Sequence, residues 1–320
     1  MDVDERMELV KRNMAEVVTE EELEEIVQKD DPSAYIGYAP TGMMHIGHFT
    51  TVRKIADFVD AGFTFKFLIA DIHAELDVEK SPLDLVPARA EYYEKAIRGM
   101  LEASGTDPSE VEFVLGSDYE HDAEYQKGYM RIMENVTVNR AQRAVNEVVR
   151  HDESMKASAL LYAAMQIMDC AGLDIDVAYA GMDQRRIYML GRESLPDIGE
   201  DKPTCVFAPL LSGLTGGKMS ASDEASKDNG VLEYVKYLVF PVLEDEGREF
   251  EIEREEEHGG DVSYASYDDL EQDFVSGDIH PADLKEATAA HVSELLQPVQ
   301  ERFEGEEELL MTAYPDEYGD

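Results

Sequence analysis

Apolar and polar residues change their spacing repeatedly along the chain, and each change marks an element. Residues 5–29 carry apolar positions at helical intervals. Within them TEEELEEIV offers Thr19 as an N-cap with Glu22 three residues on, the arrangement of a capping box. AYIGYA (34–39) then reads as a short strand, GHFTTVRKIADFVDAG (47–62) as a helix closed by Gly62, and FTFKFLIA (63–70) as a buried strand. Strand, helix and strand in such close succession form a βαβ unit, which implies a parallel sheet.

The alternation continues. Residues 83–104 predict a helix, VEFVLGS (111–117) a strand, DIDVAYA (174–180) a strand, QRRIYMLGRE (184–193) a helix and PTCVFAPLL (203–211) a strand. Two long helical stretches, 122–150 and 156–171, follow one another with no strand between them. The pattern predicts an α/β fold, a doubly wound Rossmann-like parallel sheet over residues 33–210. A helical segment (1–32) precedes it, and a helical insertion (118–157) separates its halves. LSGLTGGKMSASDEASKDNG (211–230) is a glycine-rich loop. From 231 onward strands largely disappear, and segments such as PADLKEATAAHVSELLQPVQERF predict a smaller helical C-terminal domain (231–320). The closing YPDEYGD reads as a mobile tail.

Composition changes this picture in one respect. The 320 residues are 43% hydrophobic, ordinary for a globular chain, but 71 acidic residues stand against 28 basic ones, a net charge of −43. Such a surface repels itself in dilute buffer. At molar salt the Debye length falls to about 3 Å and the repulsion is largely screened, so the charge points to a salt-rich cytoplasm. Disorder would remove the apolar periodicity, which is plentiful here. No apolar run approaches a membrane span, and MDVDERMELV does not read as a signal peptide. The two cysteines, Cys170 and Cys205, give neither zinc spacing nor a disulfide framework, which fits a reducing compartment.

The candidate chemistry begins at PTGMMHIGHF (40–49), after the first strand and at the mouth of the next helix. A helix N-terminus presents free N–H groups and a partial positive charge, which suits phosphate. Gly47 lets a flat nucleoside approach the backbone. His45 and His48, two potential cations, could donate to phosphate oxygens as charge develops, an electrostatic rather than covalent contribution. The same H-x-x-H pair could hold a metal, but no third ligand lies nearby in sequence, and no metal site is expected. The second feature is GGKMSAS (216–222), in which two glycines give mobility, Lys218 a point charge, and Ser220 and Ser222 hydroxyl donors. Alone it equally suits a surface linker. A loop of this kind can also close over a triphosphate.

The two features in this order resemble the HIGH and KMSKS signatures of class I aminoacyl-tRNA synthetases. AYIGYAPTG, LLYAAMQIMD, AGMDQRRIYML and HPADLK narrow the resemblance to the compact archaeal and eukaryotic tyrosyl-tRNA synthetases. It covers nearly the whole chain. It implies that Tyr35 and Asp169 hydrogen-bond the phenolic hydroxyl of bound L-tyrosine. Tyr162, Gln166 and Gln184 would hold its ammonium and ring. Tyr162, Gln166 and Asp169 also share one face of a helix by their spacing. Thr41, His45, His48 and Lys218 would be catalytic, and Gly37, Gly47, Lys218, Met219, Ser220, Ala221 and Ser222 would bind ATP, which enters with Mg²⁺. The lysine usual in the second basic position of the loop is replaced by Ala221, and Ala39 and Ala180 stand where relatives often carry Glu and Gly.

The second substrate implied is tRNA(Tyr), a polyanion. Segment 127–156 is locally basic. Lys127, Arg131, Arg140, Arg143, Arg150 and Lys156 oppose Glu134, Glu147, Asp152 and Glu153, a balance of +2. A solvated helix face with ion pairs explains that as readily as an RNA contact. The resemblance makes this insertion a homodimer interface that touches the acceptor stem. Arg143, Arg185 and Arg186 would read the first base pair, and His258, His280 and Asp283 would lie at the anticodon. Asp283 also fits a helix cap. The implied protein is a cytoplasmic tyrosine–tRNA ligase with no membrane or DNA partner. A tryptophanyl-tRNA synthetase, another HxGH nucleotidyltransferase and a non-catalytic RNA-binding descendant are its rivals. Only a hydroxyl-bearing side chain gives Tyr35 and Asp169 a partner, which favours tyrosine.

Overall fold

The computed structural model describes residues 1–76, 81–146, 148, 155–211, 229–256 and 259–318. Up to residue 208 the elements are α1 (Val3–Lys11), β1 (Glu16–Val18), α2 (Glu20–Ile26), β2 (Ser33–Tyr38), α3 (Ile46–Asp60), β3 (Thr64–Ile69), α4 (Asp71–Leu76) and α5 (Val86–Ala103). There follow β4 (Val111–Leu115), α6 (Ala123–Asn135), α7 (Val138–Val145), α8 (Ala157–Gly172), β5 (Val177–Gly181), α9 (Arg185–Ile198) and β6 (Thr204–Ala208).

The six strands make one sheet in the order β1-β6-β5-β2-β3-β4. Five are parallel, as the βαβ pattern predicts, and the sheet is doubly wound. Its alternating residues feed two cores. Ala34, Ile36, Phe65, Phe67, Val177 and Tyr179 face one, while Tyr35, Leu68, Ala178, Ala180 and Phe207 face the other. Burial on both faces explains the near-continuous apolar strands.

The helix expected over 5–29 is instead two helices around a strand. Thr19 does cap α2, accepting from the Glu22 amide at 3.2 Å. Glu22 turns its carboxylate to Arg192 and Lys202, at 2.7 and 2.6 Å. Glu16–Val18 pairs antiparallel with β6, setting Glu16 opposite Phe207 and Val18 opposite Cys205. Three residues carry too little pattern to announce a strand, and sheet pairing overrides local helix preference. The stretch expected over 122–150 breaks at Val136, whose extended backbone separates α6 from α7.

Beyond the loop come α10 (Gly230–Tyr234), a π-turn over 235–239, α11 (Phe240–Glu246), the hairpin β7 (Phe250–Ile252) and β8 (Val262–Tyr264), and α12 (Tyr267–Ser276). They end in α13 (Pro281–Glu301), α14 (Glu307–Ala313) and α15 (Pro315–Tyr318). A third core, including Leu232, Phe250 and Leu284, lies within this region. Its long helix α13 reaches back onto α5. A Cβ at Gly99 would stand 2.7 Å from the Val299 Cα, so only glycine permits that approach. Of the stretch read as a tail, Tyr314 packs into the fold and Pro315–Tyr318 form α15. Tyr314 is buried, its hydroxyl donates to the Gly42 carbonyl at 2.9 Å, and Arg89 Nε donates to the Ala313 carbonyl at 2.9 Å. Among the described residues no helix is long and apolar enough to cross a membrane.

One buried ion cluster joins these parts. Asp57 on α3 accepts from Arg53 and Lys54 of the same helix, each at 2.8 Å, and from Arg12 beyond α1. Arg53 and Arg12 also bond Asp245 on α11. Burial pushes the Asp57 carboxyl up, but Lys54, Arg53 and Arg12 outweigh it and hold the group down at about 2. Removing one partner of such a cluster strands the others. Asp57→Asn is therefore expected to cost about 3 kcal/mol or more in chemical denaturation, even in molar KCl, because buried pairs are screened little. A loss below about 1 kcal/mol would contradict this role.

Candidate active site

A cleft of about 980 Å³ lies at the carboxyl ends of β2, β3, β5 and β6. The chain order reverses between β2 and β5, and a crevice forms where the crossovers diverge to opposite faces. The segments leaving these strands supply its walls: Thr41, His45 and His48 after β2, Ala70 and His73 after β3, Gly181 and Gln184 after β5, and Pro209 after β6.

His45 and His48 close the N-terminus of α3. His45 is the N-cap, and its Nδ1 accepts from the Gly47 amide at 3.2 Å. His48 Nδ1 accepts from the His45 amide at 3.0 Å. Each ring thus spends Nδ1 as an acceptor, which places the proton of the neutral imidazole on Nε2. Burial lowers the pKa of both, and for His48 burial and the neighbouring His45 carry it to about 4. The ring centroids are only 4.0 Å apart, so charging one penalises the other. The pair expected as potential cations is a pair of neutral donors at neutral pH. The positive potential at this end comes from the helix terminus itself.

The cleft floor is a polar cluster below an apolar wall. Tyr35 on β2 meets the Tyr188 hydroxyl at 2.9 Å. Asp169 on α8 is only 1% exposed, and its Oδ1 accepts from the hydroxyls of Tyr119 and Tyr125 at 2.8 and 2.7 Å. Among the described residues no hydrogen bond reaches its Oδ2, which faces His73 Nε2 at 3.7 Å. Burial raises the Asp169 carboxyl, and Glu120 raises it further. His73, Tyr125 and Tyr119 oppose them, leaving it at about 7. One turn away Gln166 Nε2 donates to Gln184 Oε1 at 3.1 Å, and the Gln166 Oε1 is buried without a partner among the described residues. The Tyr162 and His73 rings stand nearly perpendicular, their centroids 4.7 Å apart. The helical spacing thus brings Tyr162, Gln166 and Asp169 into one cleft with Tyr35 and Gln184, as expected.

Gly37 and Gly47 also line it, and a Cβ on Gly37 would come within 3.3 Å of Leu68. Lys218, Met219, Ser220, Ala221, Ser222 and His258 lie outside the described residues. Arg143 is exposed near the end of α7, and Arg185 and Arg186 open α9. Arg185 is clamped by Glu16, its Nη2 at 2.7 Å from one carboxylate oxygen. In the C-terminal region His280, not Asp283, is the N-cap of α13, its Nδ1 accepting from the Ala282 amide at 3.2 Å. Asp283 sits in that first turn, where a carboxylate suits the helix dipole.

The sequence reading missed His73, Tyr119, Glu120, Tyr125 and Tyr188. One signal was available: His73 and Glu120 follow directly on β3 and β4, at the carboxyl ends where a doubly wound sheet places its ligands. Long-range ¹⁵N NMR is expected to show His45 and His48 as neutral Nε2–H tautomers from pH 6 to 8. Doubly protonated rings in that range would contradict the capping geometry.

Residues 28–297 match the family described as tRNA synthetases class I (W and Y). The chain is 54% identical to the tyrosine–tRNA ligase of Haloarcula marismortui, over 100% of this chain and 99% of the relative. It is 51% identical to that of Natronomonas pharaonis, over 99% and 100%. Its fold superposes on the tyrosyl-tRNA synthetase of Archaeoglobus fulgidus, solved with L-tyrosine, with a TM-score of 0.86 and 38% identity, covering 94% of this chain and 99% of that one. The chain belongs to the class I aminoacyl-tRNA synthetases of the tryptophan and tyrosine family, and within it to the tyrosine–tRNA ligases.

Proposed function

We infer that the cleft takes L-tyrosine with its hydroxyl on Asp169 and Tyr35, and ATP against the N-terminus of α3. The observation that carries this reading is Asp169 Oδ2, an oxygen of a buried carboxylate that lines the cleft and has no hydrogen-bond donor among the described residues. A buried carboxylate oxygen needs a donor, and a phenol entering the cleft supplies one. Phenylalanine would leave it bare, and an indole has no hydroxyl to offer. The familiar illustration of such hydroxyl readout is itself the tyrosine-specific synthetases. The unpartnered Gln166 Oε1 suits the substrate ammonium, with Gln184 holding the amide in place.

The reaction then follows from placement. A tyrosine carboxylate oxygen bonds to the α-phosphorus of ATP as the bond to the bridging oxygen of pyrophosphate breaks, giving tyrosyl-adenylate. The Nε2–H groups of His45 and His48, with Thr41 and the helix terminus, stabilise charge on the phosphate oxygens. Mg²⁺ enters as part of the nucleotide substrate, and Lys218 with Met219, Ser220, Ala221 and Ser222 holds the pyrophosphate. A ribose hydroxyl of the terminal adenosine of tRNA(Tyr) next attacks the tyrosyl carbonyl, and AMP leaves.

Arg143, Arg185 and Arg186, on the adjacent α7 and α9, face the acceptor end, and His258, His280 and Asp283 the anticodon. The working unit is a homodimer joined through α6 and α7. Met130, Met133 and Val138 there are 52%, 44% and 65% exposed, a group of apolar side chains that a partner copy would cover.

Amino-acid-dependent ATP–pyrophosphate exchange, with the twenty amino acids tested singly in about 2–3 M KCl, tests the function, since surface charge is screened there. Tyrosine alone is expected to support exchange. Exchange with tryptophan would overturn the assignment of Tyr35 and Asp169, and none in folded protein would overturn the activity.

A further inference from the structure

His73 and Glu120, which the proposed reaction leaves without a task, form a buried trio with Asp169. They come from three elements: α4, the turn after β4, and α8. Each is 2% exposed or less. His73 Nδ1 stands 3.5 Å from Glu120 Oε1, and His73 Nε2 stands 3.7 Å from Asp169 Oδ2. Among the described residues neither imidazole nitrogen and neither Glu120 oxygen has a hydrogen-bond partner. The three groups lie close enough to be weighed as cation ligands, all within 4.8 Å. The nearest approaches, however, set opposite nitrogens of the imidazole toward two different carboxylates. That is the arrangement of an imidazolium bridging two anions.

We propose that His73 and Glu120 are positioning residues that set the charge of Asp169, and thereby make tyrosine affinity depend on pH. The proposal rests on Asp169 being the acceptor for the substrate hydroxyl. The surroundings define the balance. Tyr119 and Tyr125 donate to Asp169 Oδ1, which favours its ionised form. On the other side lie Tyr35, Tyr188 and Cys170, a hydroxyl pair and a thiol. Asp71, at the start of α4, adds negative potential at His73, and the Tyr162 ring stands nearly perpendicular to the imidazole, the centroids 4.7 Å apart. Burial disfavours the imidazolium, yet Asp169 and Glu120 together raise the His73 pKa. Glu120 repels charge on Asp169 more than His73 attracts it, and so keeps the acceptor near its titration.

The signs follow directly. Protonating Asp169 replaces a charge-assisted acceptor with a neutral acid, so tyrosine affinity falls as pH falls. Removing His73 withdraws the cation, so Asp169 protonates at higher pH. Removing the charge of Glu120 withdraws the larger repulsion, so it protonates at lower pH.

The test is tyrosine Kd by equilibrium dialysis, with KM and kcat in exchange, from pH 6 to 9 at constant KCl. In the wild type Kd should rise by about tenfold for each pH unit below the midpoint. H73N should move the midpoint up and E120Q should move it down, with the effect in Kd and KM rather than in kcat. A flat wild-type profile, an unmoved midpoint in both folded variants, or shifts in the same direction would overturn the proposal. Restoration of wild-type affinity by a divalent metal, lost again with a chelator, would also overturn it. If neither variant folds, ¹⁵N NMR of the wild type decides: His73 doubly protonated at pH 7 is expected, and a neutral ring contradicts the bridge. If the wild type neither binds nor activates tyrosine, the proposed function fails, a result distinct from any of these.

Discussion

A carboxylate removed from water must be surrounded by donors, and Asp169 is such a group. Two tyrosine hydroxyls satisfy one oxygen, an imidazole faces the other, and the chain supplies no third donor among the described residues. The remaining capacity is directed into the cleft. On the proposed reading, specificity arises from an incomplete hydrogen-bond shell rather than from pocket size. A side chain one oxygen short leaves buried polarity unpaired, which is costly; one methylene more or less in an apolar pocket changes much less.

The rest of the fold sets Asp169 in one cleft with the N-terminus of α3. The parallel sheet brings the carboxyl ends of β2, β3 and β5 together, so the histidines at the mouth of α3 and the carboxylate on α8 border one cavity. The Asp57 cluster on the same α3 ties that helix to α1 and α11. These interactions are buried, and salt weakens them little. The net charge of −43 is carried on a surface whose repulsion salt suppresses. The chain thus separates an exterior that depends on salt from a site that does not, and its relatives in Haloarcula marismortui and Natronomonas pharaonis agree with a salt-rich setting.

How much of this was readable in the sequence depended on the range of each interaction. The β2-α3-β3 unit and the Tyr162, Gln166 and Asp169 face follow from local periodicity, and both stand in the structure. What failed depended on distant partners. Glu16–Val18 is a strand only because β6 offers an edge, and Tyr314 is ordered only because Gly42 and Arg89 receive it. The neutrality of His45 and His48 required knowing that backbone amides occupy their Nδ1 atoms. His73 and Glu120 are nearly 50 residues apart, and nothing local links them; the sheet alone brings them to one point.

The most direct test of the central claim is a crystal structure of the complex with L-tyrosine, grown in molar KCl. The account predicts the phenolic oxygen about 2.5–3.0 Å from Asp169 Oδ2 and within reach of the Tyr35 hydroxyl, with the ammonium at Gln166. A phenol placed elsewhere, with Asp169 Oδ2 still directed at His73 alone, would contradict it.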